Sequence, residues 1–385
     1  MVVFLYFLAS IFCLFVVLVC MYLYIKKMNI WILSYCKGLF STFSSQDKPI
    51  DIMFLFVDHY ELAGKPERLD AWLNVYPALA KKHLDFDGGY PKHSFFYALD
   101  LIDENELELL KPIMDQKMGE VELHWHHDHD TSESFVEKLH DGMRVFHKYG
   151  YMLPYKEDQM ACFGFIHGNW SLDNSRGEEF CGVDNEIQIL AKEGCYGDFT
   201  FPAMFTDAQP SKVNEIYYAI DDGEAKSYET GRTAEVGVTS KDNEFLIFQG
   251  PLTINWLDWR HKWHPTIEDG DINEHPTQGD PARIDAWIRQ GIHVKGRPEW
   301  QFVKVFCHGA QDHKSVLGEA TDKMFQYLGD KYNDGKKYRL HYVSSREAYN
   351  ILKAAEAGKE GNPNEFRDYI IPPPNERLPS KLLEG

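Results

Sequence analysis

The sequence predicts an α/β protein: a distorted (β/α) barrel behind an N-terminal transmembrane helix. Three observations lead there. From residue 50 to residue 358, apart from a less regular middle at 204–280, short apolar runs alternate with segments of helical spacing, the pattern of a buried parallel sheet with crossover helices. The first 25 residues carry no charge. Histidines recur where the apolar runs end, at the strand-to-loop rim on which such barrels build their sites.

The opening stretch, MVVFLYFLASIFCLFVVLVCMYLYI, meets Lys26 and Lys27. At ~1.5 Å per residue a helix of that length crosses a ~30 Å hydrocarbon core. It lacks the basic start, short apolar region and small-residue cleavage site of a signal peptide, so an uncleaved anchor over 1–27 is expected. Lys26, Lys27 and Lys37 all follow the span, which places the large domain in the cytoplasm by the positive-inside rule. Met28 offers an alternative start that would remove the anchor.

Residues 28–49 read as a juxtamembrane linker ending in STFSSQDKP, and 50–358 as the barrel domain. Strands are expected at 50–59, 93–99, 120–126, 161–168, 195–203, 301–309 and 338–344. Helices are expected at 66–84 with a break at Pro77, then at 103–117, 132–150, 185–194, 281–291, 313–332 and 345–358. Asp103 followed three residues later by Glu106 is an N-cap pattern. EFLIFQGPLTINW (244–256) suggests a hairpin or strand pair, 264–281 a loop, and 359–385 an irregular Pro-rich tail.

Acidic residues outnumber basic ones by 59 to 40, for a net charge of −19. This argues against DNA or RNA as a partner, since phosphate neutralisation needs Lys and Arg. The seven cysteines form no C-x-x-C pair, so neither a structural zinc nor a disulfide framework is indicated. The many aromatic residues fill a large core before they suggest a sugar cleft.

The chemistry concentrates in GEVELHWHHDHDT (119–131), with four histidines and two aspartates in seven positions. Strand alternation puts His124, His126 and Asp128 on one face and His127 and His129 on the other. Such a pair of imidazoles with a carboxylate suits a divalent metal, most simply zinc; the plain alternative is a polar turn. Other strand ends supply Asp58, His59 and Glu61; His167, Asn169 and Trp170; and His308. A cleft holding these groups supports metal-assisted hydrolysis, with Asp58 as base and His308 as acid. Glu61, His127, His167, Asn169, Trp170 and Asp173 are candidates for substrate contact, although Asn169 and Asp173 could equally cap a helix.

In this order FVDHY, HWHHDHD and VFCHG resemble the motifs of the polysaccharide deacetylases, over roughly residues 50–345. INWLDWRHKW (254–263) loosely echoes that family's tryptophan motif. The resemblance implies an irregular (β/α) barrel, a carbohydrate esterase activity and a divalent metal. It implies Asp58 as base, His308 as acid, and His59 where the family has a metal-binding Asp. Two departures stand out: that His for Asp, and the missing H-x-x-x-H spacing, because Asp128 lies four residues after His124. GFIHGNWSLDNS (164–175) lies outside the common pattern and looks like a branch associated with capsule or exopolysaccharide synthesis machinery. The expected function is deacetylation of an acetylated sugar or polysaccharide intermediate. The alternatives are a glycoside hydrolase pairing Asp58 with Asp128, and a non-catalytic membrane-anchored assembly factor.

Overall fold

The computed structural model describes residues 2–39, 48–151, 163–257, 265–272 and 279–374. The chain forms a mixed α/β fold around a large, mostly parallel sheet. Its strands are β1 (Ile50–Tyr60), β2 (His93–Ala98), β3 (Gly119–Trp125), β4 (Phe163–His167), β5 (Cys195–Asp198), β6 (Ile216–Ala219), β7 (Arg232–Thr233) and β8 (Phe245–Phe248). A small separate pair is β9 (Thr253–Asn255) and β10 (Thr266–Glu268), and the main sheet is completed by β11 (Trp300–Cys307) and β12 (Tyr338–Val343). The ladder runs β11-β1-β2-β3-β4-β5-β8-β6-β7. β1 is long enough to pair β11 along one edge, and β12 and then β2 in series along the other.

Alternation along β1 sorts its side chains onto two faces. Ile52, Phe54, Phe56 and Tyr60 join an outer core with Leu69 and Trp72 of α3 (Pro66–Asn74), Leu107 of α5 (Glu104–Asp115), Phe135 of α6 (Ser132–Lys148) and Phe325 of α10 (Glu319–Tyr332). Met53, Leu55 and Val57 join an inner core with Phe96, Phe199, Phe248 and Phe302 and with Ile351 of α11 (Ser345–Glu356). Fully burying each such side chain contributes ~1.5–3 kcal/mol. Phe96 and Phe199 meet at 5.7 Å between ring centroids, and Phe248 of β8 meets Phe302 of β11 at 5.4 Å. The sheet therefore curls toward the inner face, although no ladder joins β8 to β11 among the described residues. The expectation of a barrel thus stands as a curled, mostly parallel sheet.

Local chemistry explains the boundaries. Asp103 accepts from the backbone N–H groups of Asn105 and Glu106 and starts α5. Thr131 caps α6 and Ser344 caps α11 through reciprocal capping boxes. The expected helix over 66–84 breaks at Val75, and Pro77 sits in the first turn of α4 (Tyr76–Ala80), where its missing N–H costs nothing. The expected helix over 313–332 divides into α9 (His313–Val316) and α10, with Gly318 between them. The expected strand pair within 244–256 is corrected. β8 pairs with β5 and β6, whereas β9 pairs antiparallel with β10 from the segment read as a loop. Most of the linker motif STFSSQDKP, and residues 258–263 of the tryptophan motif, lie outside the described residues.

Two terminal regions are more ordered than expected. α2 (Met28–Leu39) occupies much of the stretch read as a linker and buries Met28, Trp31 and Tyr35. The Pro-rich tail docks on α11 as far as Ile371, whose carbonyl accepts from Arg346 at 2.7 Å and from Asn350 at 2.8 Å. α1 (Val2–Ile25) is long and apolar enough to cross a membrane, with none of its apolar window buried against the rest of the chain. Length and composition suit a signal sequence equally.

Candidate metal centre

The ends of β1 and β3 meet on the inner face. His59 lies near the end of β1, on the side opposite Asp58, and Glu61 follows just past the strand. His124 is the penultimate residue of β3, on the side opposite Leu123, and His126 follows the strand. His124 is fully buried, and its Nε2 lies 3.3 Å from Glu61 Oε1. His126 Nε2 lies 3.5 Å from the same oxygen.

The opposite ring nitrogens decide what these atoms can do. His124 Nδ1 is 3.1 Å from the Ile166 carbonyl oxygen, which can only accept, so Nδ1 carries the proton. His126 Nδ1 is 3.3 Å from Asp100 Oδ1, which also accepts from the His126 backbone N–H at 3.0 Å. Both rings thus turn Nε2 toward one carboxylate oxygen. This is the arrangement of metal-binding histidines, whose second nitrogen is fixed by a carbonyl or carboxylate. With neither Nε2 protonated, two lone pairs and an anionic oxygen this close would repel; a proton or a cation among them removes the repulsion. Burial opposes a proton on His126, yet Asp100 and Glu61 outweigh it and raise its proton affinity. Burial likewise works to raise the Glu61 carboxyl, but His124 and His126 hold it below its ordinary value. Glu61 is further oriented by Gln311, which donates to Oε2 at 2.6 Å. Gly168 packs against the His126 ring so closely that a Cβ there would lie 2.3 Å from its Cδ2.

His59 and His308 stand beside this set. The His59 ring is 4.8 Å from His124 and 4.8 Å from His308, centroid to centroid. Burial, reinforced by His308 and His124, holds the His59 imidazole well below its ordinary pKa, so it is neutral. Trp170 covers both rings, at 5.9 Å from His59 and 6.2 Å from His308.

A second cluster lies on the outer face. His127, His167, Cys181 and Glu186 bring ligand-type atoms within 4.8 Å of one another, and all four are buried. Here protons account for the contacts. His127 reaches Glu186 through Nε2 at 3.0 Å and Asp130 through Nδ1 at 3.3 Å. Burial disfavours its charge, but Asp130, Cys181 and Glu186 raise its pKa well above the ordinary value, making it an imidazolium between two carboxylates. His167 Nδ1 accepts from the N–H groups of Asn169 at 3.2 Å and Ser171 at 3.4 Å, so its proton sits on Nε2. Burial pushes the Cys181 thiol up to about 11.

The remaining expected site residues disperse. Asp58 faces outward, fully buried, where Oδ1 accepts from Gly309 N at 2.6 Å and Oδ2 lies 3.6 Å from His93 Nδ1. Its expected role as base is corrected: alternation sends it away from the His59 side of the strand. Asp58, His93 and Cys307 form a third buried group of possible ligands. Asp128 does not join His124 and His126, because β3 ends at Trp125; its side chain is 65% exposed and lies 3.0 Å from His129. Asp173 is buried, accepts from Ser227 N at 2.7 Å, and is raised by burial to about 8. Asn169 reaches the carbonyls of His127 and Phe180, both at 3.5 Å. Asp173 and Asn169 therefore tie loops together, and His127 and His167 belong to the outer cluster.

Asp100 and Gln311 escaped the sequence reading. Asp100 stands two residues past β2, a position that strand-end inspection could have found. Gln311 carries no such signature.

Groups of buried His, Cys, Asp and Glu that could hold a metal ion are thus a property of the fold. No protein-family model and no curated protein matches the chain.

Proposed function

We propose that the chain is a metal-dependent hydrolase that removes acetyl groups from a carbohydrate, with its metal held by Glu61, His124 and His126. One observation carries this reading: both Nε2 atoms converge on Glu61 Oε1, at 3.3 and 3.5 Å, while both Nδ1 atoms are committed elsewhere. Nitrogen and carboxylate donors in this number suit zinc in a catalytic setting, where one position stays open. Such an ion would polarise a carbonyl and acidify water.

The protein groups then divide the work. His59 stays neutral at its buried position. His308, next to it, is placed to donate a proton to the leaving group. Trp170 offers an aromatic face beside both imidazoles, suited to the apolar side of a sugar ring. Asp58 acts as a positioning residue: through Gly309 it fixes the backbone immediately after His308. The acetylated-sugar substrate rests on the motif order FVDHY, HWHHDHD and VFCHG. With α1 as an anchor, Lys26, Lys27 and Lys37 favour a cytoplasmic domain, next to a polysaccharide-synthesis machinery as partner.

The glycoside hydrolase alternative needs two carboxylates across one gap, but Asp58 is buried outward while Asp128 is exposed beside His129. The test is elemental analysis of the full chain, with acetate release measured from N-acetylglucosamine oligomers and O-acetylated xylan. About one zinc per chain is expected, lost together with acetate release in Glu61→Gln. Metal-free protein that still releases acetate, or release of reducing ends instead, overturns the reading.

A further inference from the structure

We propose that the folded domain itself rests on a phospholipid surface, through α2, the loop at Phe205 and the end of β9. The domain begins where α1 ends, with almost no spacer. Leu23 in the last turn of α1 packs against the cluster of Met28, Trp31, Tyr35, Val213 and Leu252. Lys27, at the turn into α2, pairs with Asp207 at 2.6 Å, and Lys26 sits 5.0 Å over the Phe205 ring. On the domain side of α2, the Tyr35 hydroxyl bonds to Thr253 of β9 at 3.0 Å. An apolar helix suited to a bilayer is thereby joined firmly to one region of the domain surface.

That region is apolar where it faces outward. Leu33 is 72% exposed on α2, away from Trp31 and Tyr35. Phe205 and Trp256 are 43% and 62% exposed, and Leu257 adjoins Trp256. Their neighbours Met204 and Ile254 pack on the same cluster that holds α2, which sets these exposed side chains around it. Scattered exposed apolar residues are ordinary; a group surrounding the exit of a membrane-length helix is not. Tryptophan and lysine are the residues that settle at the headgroup boundary, and Lys26 and Lys37 flank the group. Continuity with α1 selects lipid over a protein partner as the occupant.

The test places a spin label at Leu33→Cys, Phe205→Cys or Trp256→Cys in the full chain. Cys13→Ser, Cys20→Ser and Cys36→Ser remove the exposed cysteines among the described residues, Cys162→Ser removes one outside them, and the protein is reconstituted in phosphatidylcholine vesicles. Accessibility to oxygen relative to a water-soluble nickel chelate is expected to rise several-fold over the same label at Leu109→Cys, an exposed leucine on α5. Equal ratios at all four positions overturn the proposal. So does exclusion of both relaxants with dipolar broadening between labels, which would mean a second copy covers the surface.

Discussion

The two histidine clusters use nearly the same residue types on opposite faces of the sheet, and they differ in what the second nitrogen of each ring meets. In the inner cluster a carbonyl and a carboxylate take the Nδ1 protons of His124 and His126, and both Nε2 atoms point at Glu61. In the outer cluster His127 bridges two carboxylates as a cation, and backbone N–H groups occupy Nδ1 of His167. Counting histidines cannot separate these cases. What separates them is whether each ring's other nitrogen meets an acceptor or a donor.

The sharpest way to break the comparison is Glu186→Ala. It removes a buried carboxylate that pairs with His127 and also accepts from Asp173 N at 2.6 Å. Leaving the imidazolium with Asp130 alone should lower stability in chemical denaturation, by at most the ~3–5 kcal/mol of a broken buried pair, with the metal content of the folded fraction unchanged. Parallel loss of metal would mean that the outer cluster is the metal site.

Asp100→Asn acts on the inner cluster alone. Losing the carboxylate behind His126 should weaken metal affinity ~10–100-fold in a competitive chelator titration, with little change in stability. Unchanged affinity would remove the argument from ring orientation. Gly168→Ala drives a methyl group toward the His126 ring and should lower affinity in the same assay, by less if the ring can yield.

Gly309→Ala tests the outward role of Asp58. A Cβ there would lie 2.1 Å from Asp58 Oδ2 and 2.6 Å from Trp72 Cζ2. Overpacking of this kind costs ~1–3 kcal/mol, read as a lowered denaturation midpoint.

The smallest effect lies far from both clusters. His341 contacts Asp51 at 2.9 Å and Asp87 at 2.7 Å. Burial opposes its charge, but the two carboxylates raise its pKa above the ordinary 6.5. Its stabilisation is therefore complete below pH 6.5 and is lost as pH rises through the raised value. Asp87 is shifted the other way: burial works upward, but His341 holds it below 3.8, so its share disappears only in acid. His341→Asn should flatten the alkaline fall in stability; an unchanged pH profile would show that the ion pair contributes nothing measurable.

Much of the fold was legible in the sequence. The strands from β1 to β5, β11 and β12 lie where apolar runs end in polar rims, because a strand buried on both faces must be apolar along its length. The antiparallel additions β6 and β7 and the β9–β10 pair were not legible, since two- to four-residue strands carry too few positions for a period. His124 and His126 were chosen correctly as neighbours, and the structure adds Glu61 to them. Asp58 and Asp128 were not brought to the same place. Asp58 faces the wrong side of β1, and the alternation that would have carried Asp128 inward stops with β3 at Trp125.

The order of strands and helices, the apolar length of α1 and the rim position of the histidines were fixed by local pattern, because side-chain period and chain length are properties of consecutive residues. Which imidazoles share a carboxylate, and which nitrogen of each ring faces it, was decided only by tertiary structure. Those facts depend on Ile166, Asp100 and Gln311, whose distances in the chain from their partners carry no periodic trace.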